Sequence, residues 1–177
     1  NWIGGGKIAS VIGRFYSMDR DGHWDRIEKA YRLMTQGQGE KTTDFTTALK
    51  KQYSQGQSDE YIEPTIGVDE SGQTLGLIKD NDVVIFFDFR ADRVRQLARA
   101  VIQPDFKEFP QRELKNMFYA TLTLYETDLP AEVIFPAPEL KYTLSQIISE
   151  KGKKQFDVRL IFKNTLMQII QLMQLTL

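Results

Sequence analysis

The sequence predicts an α/β fold, a mostly parallel sheet with covering helices and a small hairpin excursion. Three observations predict it. Val83 to Phe89 is rich in unbroken apolar residues at its core, the pattern of a strand covered on both faces. A segment with helical apolar spacing follows at once, from about Ala91 to Ile102, and Pro104 stops it. Extended and helical segments alternate along the rest of the chain, the order that builds sheets with helices laid over them.

From the amino end, Gly4-Gly5-Gly6 form a loop feeding a short buried strand from Ile8 to Ile12, which Gly13 ends. Residues 14–22 form a polar loop, and Asp21 or Gly22 is placed to cap a helix over about 23–35. In that helix Trp24, Ile27, Tyr31 and Met34 recur at three to four residues, one apolar face. Gln36 to Lys41 is turn-like, and a second helix runs from about Thr43 to Tyr53. Residues 62–81 are short extended pieces broken by Pro64, Gly67, Gly72 and Gly76, which suits the hairpin excursion. Beyond the Val83–Phe89 strand and its helix, residues 116–125 read as a strand, 133–135 as another, and Leu140 to Glu150 as a helix. There is no internal repeat.

Composition narrows the function classes. With 177 residues the chain suits one domain with a real core, and 41% hydrophobic and 27% charged residues are ordinary for a globular protein. The formal net charge of −1 disfavours non-specific nucleic-acid binding, so any anion must be held by a local cluster. Cysteine is absent and His23 is the one histidine, which excludes disulfides, thiolate sites and a histidine-rich metal site. Ser10, Ser17 and Ser145 have no histidine partner nearby in sequence, so no serine triad is expected. No apolar run reaches a membrane-spanning length and no leader is evident, so a cytoplasmic fragment is expected.

The informative chemistry lies in the arginines. In Phe87-Asp88-Phe89-Arg90-Ala91-Asp92-Arg93 a strand delivers the chain to a helix, placing Arg90 and Arg93 three residues apart at its start. Free backbone N–H groups and the helix dipole favour an anion there, and guanidinium groups grip phosphate or carboxylate bidentately. The position is also the carboxyl end of a strand, where open α/β sheets bind ligands. A second cluster, Gly13-Arg14-Phe15-Tyr16-Ser17-Met18-Asp19-Arg20, follows the first strand, with Phe15 and Tyr16 able to wall a pocket. Two readings stay open on these residues. Either Arg14, Arg20, Arg90 and Arg93 converge at one sheet edge around a small acid with two anionic groups, or they pair with Asp88 and Asp92 and decorate a surface. Arg95 and Arg99 are expected to be solvated. Gly4-Gly5-Gly6-Lys7 lacks the preceding strand and following Ser or Thr of a P-loop, and Asp19, Asp21 and Asp25 do not fit a calcium loop. His23 reads as a helix-start residue.

Five stretches resemble the cofactor-independent phosphoglycerate mutases: GKIASVIGRFYSMDRDGHWDRIEKAY at 6–31, SDEYIEPTI at 58–66, NDVVIFFDFRADRVRQLARA at 81–100, TLTLYETDLPAEVIFPAPEL at 121–140 and LSQIISEKGKKQF at 144–156. The resemblance implies a glycolytic isomerase that interconverts 3-phosphoglycerate and 2-phosphoglycerate. In that family a manganese-bearing phosphatase-like domain takes the phosphoryl group onto a serine, while a second domain holds the glycerate. The second domain is the part resembled. It would be incomplete here, over residues 1–156, and the family's substrate arginines fall on Arg14, Arg20, Arg90 and Arg93.

The departures matter as much. The family usually shows Ser-Gly-Arg and Phe-Asn-Phe-Arg, where this chain has Ile12-Gly13-Arg14 and Phe87-Asp88-Phe89-Arg90. Asp88 would place an extra carboxylate beside the anion. The upstream histidine and Arg-Asp motif, the nucleophile and the manganese ligands have no counterpart, so no catalytic residue and no metal ligand is assigned. The chain alone is expected to be inactive, needing a phosphatase-like domain for catalysis. The alternative is a non-catalytic anion-binding module or a decayed gene product. Residues 157–177 depart from the family altogether. Codons for Asp157-Val158-Arg159 can encode Arg-Cys-Ala in another frame, and those for Lys163 to Met167 can encode Lys-Tyr-Ala-His, so the tail is expected to be a frameshift product.

Overall fold

The structure, a computed structural model, describes residues 6–136 and 142–154. Packing divides the chain into two units, Asn1–Ala137 and Pro138–Leu177. In the first unit, the early strand forms only over β1 (Ser10–Val11), half-buried rather than buried and with Ile8 exposed ahead of it, followed by a one-turn helix α1 (Arg14–Ser17) and the long amphipathic α2 (Trp24–Gln36). Helix α2 ends because Gly37 adopts φ 70°, and the N–H groups of Gly37 and Gln38 return to the carbonyls of Leu33 and Arg32. His23, rather than Asp21 or Gly22, is its N-cap. Helix α3 (Phe45–Ser54) is capped by Asp44, whose carboxylate accepts from the N–H groups of Thr46 at 2.9 Å and Thr47 at 3.3 Å.

The strands form two small sheets rather than one. β2 (Glu40–Thr42) and β3 (Thr65–Gly67) pair in parallel, and β1 adds to β3 antiparallel, giving the order β1-β3-β2. β2 lies in the segment expected to be a turn; its exposed, charged sequence carries no strand period, and pairing with β3 alone makes it one. A bridge between Val68 and Thr74 closes the expected hairpin excursion. The second sheet, β4 (Val83–Phe86), β5 (Phe118–Thr121) and β6 (Glu132–Val133), is parallel throughout, with Val83 opposite Phe118 and Phe86 opposite Thr121. The fold is therefore mixed α/β with a parallel sheet and helices.

The core explains this arrangement. Ile27, Ala30 and Tyr31 of α2 join Leu97, Ala98 and Val101 of α4 (Arg95–Ile102) against Phe86 of β4, with Val84 and Tyr119 packed alongside. Burying a side chain such as Ile27 contributes about 1.5–3 kcal/mol. The aromatic rings of Trp24, Phe106, Phe109 and Tyr31 extend the cluster in edge and tilted contacts. Among the described residues of this unit only one face of β4 is covered, however: Val83 is 62% and Ile85 55% exposed. Cover on both faces was the expectation from the apolar run. Its residues alternate between core and solvent because α2 and α4 supply one helical layer within this unit.

In the second unit, α5 (Leu144–Glu150) starts at a capping box in which Thr143 and Gln146 each bond the other's backbone N–H. The expected start of this helix at Leu140 and the tail over 157–177 lie outside the described residues. Among the described residues no helix is long and apolar enough to cross a membrane.

Candidate functional site

Beyond β4 the chain passes through Phe87–Phe89, bending at Phe89, to a 3-10 turn, Ala91–Arg93, before α4 begins at Arg95. Arg90 and Arg93 thus flank a short turn ahead of the α-helix instead of occupying its first turn. The segment is fastened from β5's side. Thr123 Oγ1 donates to the Phe89 carbonyl at 3.0 Å, and the Tyr125 hydroxyl donates to the Asp88 carbonyl at 2.6 Å and the Phe86 carbonyl at 3.3 Å. Burial, reinforced by the Asp88 charge, pushes Tyr125 up to about 12, so its hydroxyl stays a donor.

The other arginine loop is organised by a carboxylate. Asp19 has a side chain 3% exposed, and it accepts from the N–H groups of Asp21 and His23, each at 3.0 Å. Its second oxygen meets His23 Nδ1 at 2.8 Å and Arg26 Nη1 at 3.3 Å. Burial alone would raise Asp19, but the hydrogen bonds led by the His23 backbone outweigh it and hold the acid below its ordinary range. With its amide nitrogen turned to Asp19, Gln96 of α4 also donates to Oδ1 at 3.0 Å and accepts from the Gly22 N–H at 2.9 Å. Loop and helix are stitched together at this point.

That stitching brings two distant arginines to one acceptor. Arg20 Nη1 donates to Asp92 Oδ2 at 2.9 Å, while Arg90 donates through Nε to Oδ1 at 2.7 Å and through Nη2 to Oδ2 at 3.1 Å. The Arg90 hydrogen bond, opposed by partial desolvation and joined by Arg20, holds Asp92 below its ordinary value. Arg93 sits in the same turn, half-buried, and its side chain makes no hydrogen bond or ion pair among the described residues. Arg14 stands apart at the start of α1, where its Nη2 pairs with Glu60 at 3.0 Å. The structure therefore brings Arg20 and Arg90 together on Asp92, with Arg93 in the same turn, and no contact among the described residues links Arg14 to them. Because β1 and β4 belong to different sheets, a common strand edge is not what joins the two clusters.

Other residues singled out in the sequence take different places. Tyr16 is buried and donates to Glu63; burial, then that bond, push it up to about 12. Phe15 lies between Tyr61, at 4.9 Å, and the Arg26 guanidinium, 3.9 Å from its ring centre. Arg95 and Arg99, expected to be solvated, keep side chains 44% and 40% exposed, and both also bind the largely buried Glu126. Asp88 is half-buried, and its desolvation raises its pKa. A cleft of about 550 Å³ lies elsewhere, among Glu28, Lys29, Arg32, Glu40 and Glu63. Sequence reading missed the roles of Asp19 and Arg26; the Asp19–His23 spacing of four residues was the available signal.

No group of three or more His, Asp or Glu side chains suited to a metal ion occurs among the described residues. Among the described residues nothing fits a manganese site, which the resemblance assigns to the phosphatase-like domain.

Residues 1–127 match the family model described as BPG-independent PGAM N-terminus. A 2,3-bisphosphoglycerate-independent phosphoglycerate mutase of Methanococcoides burtonii is 42% identical over 154 residues, covering 86% of this chain and 30% of the relative. The enzyme of the same name from Pseudomonas aeruginosa is 40% identical over 158 residues, covering 88% of this chain and 30% of its own length. Among solved structures, a Leishmania mexicana phosphoglycerate mutase at low cobalt concentration superposes with a TM-score of 0.71 at 31% identity, covering 82% of this chain and 28% of that one. The chain thus spans about 30% of the length of the curated relatives it matches.

Proposed function

The chain belongs to the BPG-independent phosphoglycerate mutases, and from that premise we propose that residues 1–156 are part of the domain that holds the glycerate. In this reading the ligand is 2- or 3-phosphoglycerate and the binding residues are Arg14, Arg20, Arg90 and Arg93. The observation that carries it is the meeting of Arg20 and Arg90, far apart in sequence, with Arg93, whose side chain has no partner among the described residues, in the same turn. Arg20 and Arg90 together outweigh the Asp92 carboxylate they share, and Arg93 in the same turn adds a further positive charge, a balance suited to a small phosphorylated acid. Their contribution would be positioning and charge stabilisation. The nucleophile and the manganese of the full-length enzyme would come from a phosphatase-like domain, and the protein would work in cytoplasmic glycolysis. Residues 157–177 are read as a frameshift product; a gene sequence without a family-like alternative frame there removes that part of the proposal.

The test is calorimetry of this chain with 3-phosphoglycerate, compared with Arg93→Ala. Loss of a guanidinium that contacts the anion is expected to weaken binding by roughly tenfold or more. Equal heats in the two proteins, or none in either, would remove the binding claim. The satisfied Arg20–Asp92–Arg90 contacts favour a second reading, a surface ion-pair network in a non-catalytic product, and that outcome would support it. With manganese and 3-phosphoglycerate the isolated chain is expected to form no 2-phosphoglycerate.

A further inference from the structure

We propose that Asp92 is a positioning residue of the anion site, holding Arg20 and Arg90 side by side so that their remaining N–H groups serve one ligand. The proposal rests on the glycerate-holding reading above and adds a residue to it. Two guanidinium groups brought together repel each other, and each belongs to a long side chain with much rotamer freedom. Here one carboxylate counters both effects. Arg90 spends Nε and Nη2 on it and keeps Nη1; Arg20 spends Nη1 and keeps Nε and Nη2. Asp92 therefore fixes the fork without consuming it.

The surroundings bear on whether this is more than an exposed ion pair. Isolated surface pairs contribute little. Asp92, by contrast, takes three hydrogen bonds from two arginines, one 72 residues before it in the chain and one two residues before it, and its side chain is 31% exposed against 76% for Arg90. Both arms of the bridge have rigid roots. The Arg20 loop is held through the buried Asp19, and the Arg90 segment through Tyr125 and Thr123. Asp88, two residues before Arg90, shows how different a carboxylate on this segment can be: among the described residues it bonds neither arginine.

A positioning carboxylate and a merely repulsive one predict opposite signs, which makes the test sharp. Calorimetric titration with 3-phosphoglycerate would compare wild type, Asp92→Asn and Asp21→Asn. Asp21 offers the control because it adjoins Arg20 and its side chain bonds none of the arginines among the described residues. Removing a negative charge near an anion site should leave binding equal or tighter, the result expected for Asp21→Asn. Asp92→Asn is expected to weaken it by about three- to tenfold, and its loss should be smaller in an Arg90→Ala background. Unchanged or tighter binding in Asp92→Asn overturns the proposal. A second arm needs no ligand: the Arg90 Nε–H and Arg20 side-chain NMR signals should be ordered in wild type and averaged in Asp92→Asn. If wild type gives no heat, the glycerate reading fails by itself; identical arginine order in the two proteins then disposes of the positioning role as well.

Discussion

The two sheets of the first unit make the same kind of contact and meet very different surroundings. In the first, all three residues of β3 are buried, between β1 and β2 and against Gln52 of α3. Gln52 even turns its amide inward, donating to Thr65 Oγ1 at 3.1 Å and accepting from the Glu63 N–H at 2.8 Å. In the second, β4 buries Phe86 while Val83 and Ile85 face outward, with Phe118 beside Val83 also 51% exposed. The difference teaches that an apolar run measures a strand's capacity for burial. The layers actually packed against it decide how much of that capacity is used.

Substitutions on the two sheets should break or sharpen that contrast. The largest effect is expected from Ile66→Ala in β3, at a fully buried site, which should destabilise the unit by about 2–5 kcal/mol in chemical denaturation. A loss within experimental error there would mean the first sheet is as loosely covered as the second. Gly13→Ala, beside β1, comes next: the new methyl would lie 2.3 Å from the Glu60 carbonyl oxygen and 2.6 Å from the Ile62 nitrogen. Both atoms are backbone, so the chain must shift, and a loss of about 1–3 kcal/mol is expected.

Asp19→Asn tests the loop that joins the first cluster to α4, with an expected loss of about 1–3 kcal/mol at neutral pH. Its pH dependence has a definite sign. The folded pKa is depressed, so the stabilisation is present above the unfolded carboxylate's range, near about 3.9, and is lost as pH falls through the folded value. The variant should therefore lose less stability than wild type between neutral and strongly acid pH; parallel acid limbs would contradict the assignment. The smallest effect belongs to Ile85→Ala on the open face of β4, expected within about 0.5 kcal/mol of wild type. A core-sized loss would show that something covers this face in solution.

Much of this molecule could be read from neighbouring residues. The apolar spacing of Ile27, Tyr31 and Met34 located α2, the Ala91–Ile102 pattern located α4 to within its 3-10 lead-in, and the motifs around Arg14 and Arg90 pointed to the family later matched over residues 1–127. These signals are local, because helix periodicity, capping and motif spacing act within a few residues. Strand partners were another matter. Glu40–Thr42 becomes a strand only through β3, and nothing between Ile8 and Ile12 foretells that β1 runs antiparallel in a sheet separate from β4. The bridge from Arg20 through Asp92 to Arg90 likewise joins residues 72 apart, and the separate place of Arg14 follows from Glu60. Such pairings depend on how the chain returns on itself, and single charged residues carry no periodic signal of the partner they will meet. Short-range chemistry wrote the elements and the arginines into the sequence; long-range packing chose which guanidinium groups share an acceptor and which strand face stays open.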